Sequence, residues 1–428
     1  MDRVRVNIKK GKNLGIGVTP RPRAGDTKLS SNVALLGRDF PGVKFEVLAD
    51  EGVRVKAGAA VLRDRYRPQI VFCSPVSGTV AAVNRGARRA LMSLRIDCDD
   101  EQGVAELDVP AALGRDEVRR LMLASGLWTA LRTRPFGHVP DSGGEPAALL
   151  VTAMDTEPLA ADPAAIINGH AENFSRGMDA LTALCEAPVY LCKAPDADIS
   201  TGESKRVVVA EFSGPHPAGL PGTHIHSLCP IGFGPDEAWH IGYQDVISLG
   251  CLVSTGRPWA QREIALVGPA VKRPRVLTVS CGAAVGELLA DELEEEPVRV
   301  ISGSALSGHA AVGAEAYLGQ RHNQLTILPE AQPERGSRWK KTVFDTGLGG
   351  KPGPFVPISD LERVAPPGVL PVPLLRALLV GDVERARDLG ALELVEEDLA
   401  LLTYVCASKT DYGPLLRDVL DRLYKEGV

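Results

Sequence analysis

Four histidines stand close enough in sequence to pose the question of a metal centre: His216, His224 and His226 within HPAGLPGTHIH, and His240 further on. A catalytic zinc needs three converging protein ligands and an open position. If the stretch is extended, His224 and His226 fall on one face. The Gly/Pro-rich context, however, predicts a tight loop without a scaffold that makes the rings converge. It favours structural or interface histidines over metal ligands. The eight cysteines (Cys73, Cys98, Cys185, Cys192, Cys229, Cys251, Cys281 and Cys406) are scattered and form no CxxC pair. Local cysteine pairs therefore build neither a zinc nor an iron–sulfur site, and reduced, mostly buried thiols are expected. GIGVTP (Gly15–Pro20) keeps two glycines of G-x-G-x-x-G but ends in proline and has no βαβ strand before it. GLGGKP (Gly347–Pro352) runs like a phosphate loop until Pro352 stands where a hydroxyl should ligate magnesium. No G-x-S-x-G elbow occurs, and SGSALSG (Ser302–Gly308) reads as a turn between strands. The residues offer no self-contained active site: no catalytic residue and no metal ligand is assigned.

Composition narrows the partners. The chain has 428 residues and a net charge of −6, with no long basic run, so nucleic acid is not the expected partner. No apolar stretch approaches the roughly 18 residues of a membrane helix. The richest, Leu374–Val380 (LLRALLV), contains Arg376. The N-terminus, MDRVRVNIKKGK, lacks the apolar core of a signal peptide. These features place the chain in the cytoplasm, reaching a membrane only through partners.

The elements that would position any site fall into successive units. In residues 1–105, FEVLADEGVRVKAGAAVLRD and VFCSPVSGTVAAVNRGARRAL alternate short strands with turns at Gly52, Gly58, Gly78 and Gly86. The pattern resembles a biotinyl/lipoyl barrel-sandwich hybrid. Its hairpin, Arg65-Tyr66-Arg67-Pro68, has no carrier lysine, and a guanidinium cannot form the amide link, so the module is structural. Residues 106–261 supply a helix carrying Val118, Leu121 and Met122, a buried strand in Ala147–Thr156, a helix behind Asp162 with Pro163 in its first turn, and strands in Val189–Ala194 and Arg206–Phe212. Strand, helix, strand in this order predicts an α/β domain. Residues 262–330 predict a small β-grasp domain, 331–373 a linker or extended loop, and 374–428 a helical bundle. In the last unit Leu374, Leu375, Leu378 and Leu379 form a stripe, Asp382 caps a helix that Gly390 ends, and Leu415, Leu416, Val419, Leu420 and Leu423 share a face.

Several long strings resemble one family. GLWTALRTRPF (Gly126–Phe136), VTAMDTEPLAADPAAIIN (Val151–Asn168), HPAGLPGTHIH, YQDVISLG (Tyr243–Gly250), VRVISGSALSG (Val298–Gly308), LGALELVEEDLALLTYVC (Leu389–Cys406) and YGPLLR (Tyr412–Arg417) are similar to the NqrA family, the A subunits of Na⁺-translocating NADH:quinone reductases, in order over nearly the whole chain. The resemblance implies a multidomain α/β and β protein: a lipoyl-like barrel-sandwich hybrid, a degenerate Rossmann-like central domain, a β-grasp domain and C-terminal helices. That arrangement is similar to the flavin-carrying NADH-oxidising component of complex I and to the C subunit of the Rnf complex. The nucleotide loop and the cluster cysteines are lost; Cys406 is alone in the C-terminal region. The Ser-Gly-Ala-Thr flavin-attachment motif of the sibling subunits is absent, since Ser302-Gly303-Ser304-Ala305 has another order.

The resemblance further implies a peripheral subunit of a six-subunit complex on the cytoplasmic side of the bacterial inner membrane. It would carry no redox centre of its own, with NADH, flavin and iron–sulfur centres on other subunits. Its part would lie at the quinone-reduction end, with ubiquinone or another quinone as substrate of the complex. A quinone needs an apolar slot and one or two donors. LLGRDFPG (Leu35–Gly42) and RTRPFG (Arg132–Gly137) each set an aromatic ring near an arginine, which makes Leu36, Arg38, Phe40, Arg134 and Phe136 the candidate quinone-proximal residues; the alternative for both is a subunit-contact loop. Two departures stand out: the segment 331–373 is shorter than the family's usual insert, and Ser227-Leu228-Cys229 replaces a common aromatic after His226. The rival readings are a stand-alone small-ligand-binding module and an Rnf-type subunit.

Overall fold

The computed structural model describes residues 3–16, 26–99, 103–232, 236–294, 297–330 and 353–427. Strand β1 (Arg3–Asn7) and the two-residue β2 (Thr27–Lys28) precede a pair of small facing sheets. One sheet has the order β3-β9-β8-β5, from β3 (Asn32–Leu36), β5 (Arg54–Val55), β8 (Gly78–Arg85) and β9 (Leu91–Cys98); the other joins β4 (Phe45–Val47), β6 (Ala60–Asp64) and β7 (Val71–Cys73). Alternate residues point inward, so Val33, Leu62, Phe72, Val80, Leu94 and Ile96 form the filling. Phe40 seals one end, edge-on to Phe72 at 4.5 Å. The hairpin between β6 and β7 exposes Tyr66, and Arg67 ties it to Asp64 and to the Val139 carbonyl.

The first two strands leave this unit. β1 runs parallel to a strand of the central sheet (Arg3 beside Val209), and β2 pairs with the third sheet (Thr27 beside Thr278). The structure thus differs from a unit that holds residues 1–105 together. RVRVN alternates like an edge strand with arginines toward water, but alternation fixes a face and not a partner.

The central unit opens with α1 (Arg115–Ala124), whose Glu117 side chain accepts the Gly114 N–H and whose Val118, Leu121 and Met122 are buried. It continues through β10 (Arg132–Arg134), β11 (Ala148–Ala153), α2 (Pro163–Gly169), α3 (Ala171–Leu184), β12 (Val189–Lys193), β13 (Val207–Ser213), α4 (Pro221–Leu228), β14 (Ala238–Gly242) and α5 (Tyr243–Thr255). Asp162 caps α2 through the Ala164 N–H, with Pro163 at its first position. The sheet order is β1-β13-β12-β11-β14-β10, parallel except for β10 at the edge. Both faces are covered, which is why β11 reads as the nearly continuous apolar run ALLVTA. Gly177 and Gly250 let α3 and α5 touch: a Cβ at Gly250 would strike the Asn173 carbonyl.

The third unit has the strand order β18-β17-β19-β15-β16-β2, from β15 (Gln261–Val267), β16 (Arg275–Ser280), β17 (Val298–Ser302), β18 (His309–Ala310) and β19 (Gln324–Pro329), with the short helix α6 (Val285–Leu288). The last unit comprises α7 (Ser359–Val364), α8 (Pro371–Val380), α9 (Val383–Asp388), α10 (Ala400–Val405) and α11 (Tyr412–Glu426) around Leu361, Leu375, Leu402, Leu416 and Leu420. Helix begins at Ser359, inside the segment expected to be a linker; residues 331–352, including GLGGKP, lie outside the described ones. Asp382 accepts the Arg385 N–H, and Gly390 takes the left-handed conformation past α9. Leu379 is 38% exposed and does not join Leu374, Leu375 and Leu378 inside. Among the described residues no helix is long and apolar enough to cross a membrane.

Candidate functional site

Two cavities form where these units meet. The larger, about 630 Å³, lies between the barrel sandwich, the first turns of α5 and the third sheet. Leu36, Phe40, Phe72, Trp259 and Leu318 give it apolar walls, and Thr129, Gln244 and Gln320 give it polar points. The polar points are few because their neighbours take most hydrogen bonds: Gln244 donates to the Glu263 carbonyl at 2.7 Å and accepts the Glu263 N–H. The Gln320 side-chain oxygen is buried without a hydrogen-bond partner. Cys73, Cys98 and Cys281 also line this space. Burial pushes the Cys73 thiol up to about 12 and raises Cys281, so these sulfurs stay protonated and weakly nucleophilic.

The smaller cavity, about 350 Å³, is lined by charge. It sits over the carboxyl ends of β11 and β14 and is closed by the loops after β17, by Arg321 and His322, and by Glu396, Glu397 and Arg417 of the helical unit. Its charges are mostly matched. Arg134, 1% exposed, donates to Nε2 of His240 at 3.0 Å and to Glu397 at 3.3 Å, with Asp398 at 3.5 Å. Burial, with the Arg134 guanidinium beside it, holds His240 well below the usual imidazole range. The ring is therefore neutral, and its Nε2 can accept from Arg134. Arg262 pairs with Asp245 at 2.5 Å. Glu157 accepts from the Ser304 and Ser307 hydroxyls at 2.6 and 2.7 Å. Asp155 accepts the Glu157 N–H at 2.8 Å; burial and the Glu157 charge raise it to about 7.

The five sequence candidates divide between these places. Leu36 and Phe40 wall the apolar cavity; Arg38 and Arg134 line the polar one, with Arg38 also paired to Glu315 at 3.3 Å. The residues of each Arg/Phe pair are thus separated. Phe136 lines neither cavity: it is buried against the C-terminal helices, with ring centroids 5.7 Å from His138 and 5.3 Å from Tyr424. The cause is local. After β10 the chain turns back through Phe136 at φ 75°, which throws its ring away from Arg134 and toward α11.

The histidine segment is a turn over residues 216–220, as its Gly/Pro content predicts, and then a helix, so His224 and His226 are neither in a loop nor extended. Pro221 starts α4 at a first-turn position, a signal present in the sequence. His216 contacts Thr156 at 3.2 Å, His224 contacts the Ala218 carbonyl at 3.0 Å, and His226 contacts Glu393 at 2.7 Å. Burial lowers His224 to about 3. Each ring has its own structural partner, and among the described residues no group of three or more metal-ligating side chains converges. Ser302–Gly308 follows β17 as a turn but contributes Ser304 and Ser307 to the polar cavity. Of Gly15–Pro20, residues 17–20 lie outside the described residues. Sequence reasoning did not single out Asp155, Glu157, His309 or Arg321; the one local signal was a pair of carboxylates, Asp155 and Glu157, directly behind a buried parallel strand.

A two-sheet sandwich that hands the chain to a parallel α/β unit and then to a third, mixed sheet defines a multidomain α/β and β class of protein. Family models match in the same order: an NqrA N-terminal barrel-sandwich hybrid domain over residues 6–99, an NqrA second alpha/beta domain over 113–258, and an NQRA C-terminal domain over 263–313. The A subunit of the Na(+)-translocating NADH-quinone reductase of Pseudomonas aeruginosa (strain UCBPP-PA14) is 43% identical, over 99% of this chain and 100% of its own. Its counterparts in Neisseria gonorrhoeae (strain NCCP11945) and Klebsiella pneumoniae (strain 342) are 44% and 42% identical over the same shares. The chain belongs to the NqrA family, the A subunits of Na⁺-translocating NADH-quinone reductases.

Proposed function

We propose that this chain serves as the peripheral A subunit of a Na⁺-translocating NADH:quinone reductase and shapes its quinone-reduction end. Full-length identity of 43% to a protein of that name carries the assignment. In this reading NADH oxidation, the flavins and the iron–sulfur centre belong to the other subunits of a six-subunit complex, and sodium crosses the membrane through spanning siblings. The chain sits on the cytoplasmic side of the bacterial inner membrane. Residues 32–98 act as a lipoyl-like barrel sandwich without a carrier, 106–261 with β1 as a degenerate Rossmann-like domain, 262–330 with β2 as a β-grasp domain and 359–427 as a helical bundle.

The apolar cavity suits the head of ubiquinone or another quinone. A flat ring with two carbonyl acceptors needs dry walls and one or two donors. Leu36, Phe40, Phe72 and Trp259 supply walls, and the amide of Gln320 supplies a donor, while the Thr129 hydroxyl is committed to the Gly126 carbonyl. Arg38 and Arg134 act from the neighbouring polar cavity, and Phe136 acts by holding the helical unit. Leu36→Trp, which fills the cavity, is expected to raise the quinone KM of the assembled complex severalfold with NADH oxidation by an artificial acceptor unchanged. An unchanged quinone KM would remove the quinone from this cavity.

A further inference from the structure

The polar cavity has a placement and a chemistry that the quinone reading does not use. From β11 the chain moves through β12 to β13 on one side, then returns to add β14 on the other side of β11. The point between β11 and β14 is therefore a topological switch point, where the loops at the carboxyl ends of open parallel sheets diverge and leave a crevice. The 350 Å³ cavity lies there: Thr152 and Asp155 come from the end of β11, and Gly242 and Tyr243 from the end of β14. Its volume is within the roughly 300–1,000 Å³ range of small-molecule sites.

Its charges define what could enter. Gly242 and Tyr243 begin the 13-residue helix α5, whose N-terminus carries no side-chain cap. Such a terminus offers N–H groups and a partial positive charge to an anion. Arg321 reaches the same space on an exposed side chain, while Arg134, Arg262 and Arg417 are bound to carboxylates. A bare anion would still meet Asp155 and Glu157 across the cavity, and it would meet Asp245 in the first turn of α5, whose charge Arg262 offsets. The ligand therefore needs a second end that donates hydrogen bonds. An ammonium is the weaker fit, because Glu157 is already satisfied by Ser304 and Ser307 and Asp155, at about 7, is only partly ionised at neutral pH. A hydroxyl can bond Asp155 in either state. His309, 7% exposed, lines the cavity as well, and its Nε2 has no hydrogen-bond partner.

We propose that this cavity binds a small phosphorylated diol, with its phosphate at Arg321 and the start of α5 and its hydroxyls at Asp155. A nucleoside monophosphate and a sugar phosphate share this chemistry. The groups that would hold this ligand, Asp155, Arg321 and the start of α5, are not among those assigned to the quinone, although the two cavities share Asp39, Gln244, Asp245 and Arg262.

Calorimetric titration of the purified full chain with AMP, ribose 5-phosphate, ribose and inorganic phosphate tests it. AMP and ribose 5-phosphate are expected to bind, each at least about tenfold tighter than ribose or phosphate alone. Tighter AMP assigns the site to a nucleoside phosphate, and equal affinities assign it to a sugar phosphate; both uphold the proposal. Arg321→Gln, at an exposed position, should weaken binding about tenfold, the loss of one charge-assisted contact. Asp155→Ala should remove the advantage of ribose 5-phosphate over inorganic phosphate. Absence of binding by both phosphorylated diols, binding of inorganic phosphate as tight as theirs, or full affinity in Arg321→Gln would each overturn it.

Discussion

Arg417 in α11 donates to the main-chain carbonyl of Phe136 at 2.8 Å, hooking the C-terminal helices onto the loop behind β10. The same guanidinium holds both carboxylate oxygens of Glu396 at 2.7 Å. A planar fork meets both carboxylate oxygens side by side and still serves the carbonyl; an ammonium has three donors but lacks that geometry. Arg417→Met is expected to lower stability by about 2 kcal/mol, the scale of hydrogen bonds to a charged group. Arg417→Lys should recover only part of that. Denaturant titration of both variants decides; a neutral Arg417→Met would show that apolar packing alone docks the helices.

His226 and Glu393 form a second link between the α/β unit and the helices, at 2.7 Å. The hydrogen bond that His226 donates to Glu393 raises the imidazole above its ordinary 6.5, against a smaller opposing effect of burial. The folded state therefore holds the proton more tightly than the unfolded chain. The stability this adds is complete below about pH 6.5 and is lost as pH rises through the folded value. The gap in Tm between the native chain and His226→Gln should accordingly be widest below about pH 6.5 and narrow as the pH rises above it. A gap that widens with pH would contradict the pairing.

Asp155 behaves in the opposite sense. Burial, reinforced by Glu157, lifts it from 3.8 to about 7, so the folded state holds a proton that the unfolded chain has released. Stability should fall as pH rises from about 4 to about 7. Asp155→Asn removes that fall. At pH 8 the variant is expected to be more stable by about 2 kcal/mol, less than the full 1.4 kcal/mol per unit because water reaches part of the cavity. Parallel melting curves from pH 4 to 8 measure it; equal slopes would mean that Asp155 is an ordinary carboxylate.

Phe40 and Phe136 separate packing from quinone binding. Phe40 is 3% exposed, walls the apolar cavity and lies edge-on to Phe72; Phe136 is 7% exposed and lines neither of the two cavities. Truncation of either should cost about 3 kcal/mol. Only Phe40→Ala is expected to raise the quinone KM of the assembled complex. A raised KM in Phe136→Ala alone would move the quinone to the α11 side.

What the sequence made legible is what local chemistry specifies. Asp162-Pro163 announced α2, Asp382 and Gly390 bounded α9, and ALLVTA announced a strand buried on both faces. The helix expected behind Asp162 breaks at His170, which ends α2 and precedes α3. Long-range pairing was not legible: RVRVN shows its alternation but not that it adds to β13, some two hundred residues on. The candidate site was half legible for a related reason. Arg38 and Phe40 are two residues apart, yet the short helical turn at Gly37–Asp39 sends the arginine to the polar cavity and the ring to the apolar one. Proximity in sequence could not show that a wall runs between them. Asp155 and Arg321 converge only after the α/β and third units dock.

The central claim is that this chain works as part of a respiratory complex, and affinity purification of the tagged chain from its native membranes tests it most directly. Co-recovery of membrane-spanning and flavin-bearing subunits with Na⁺-stimulated NADH:quinone reductase activity is the predicted result. Recovery of the chain alone, with that activity left intact in the depleted membranes, would contradict it.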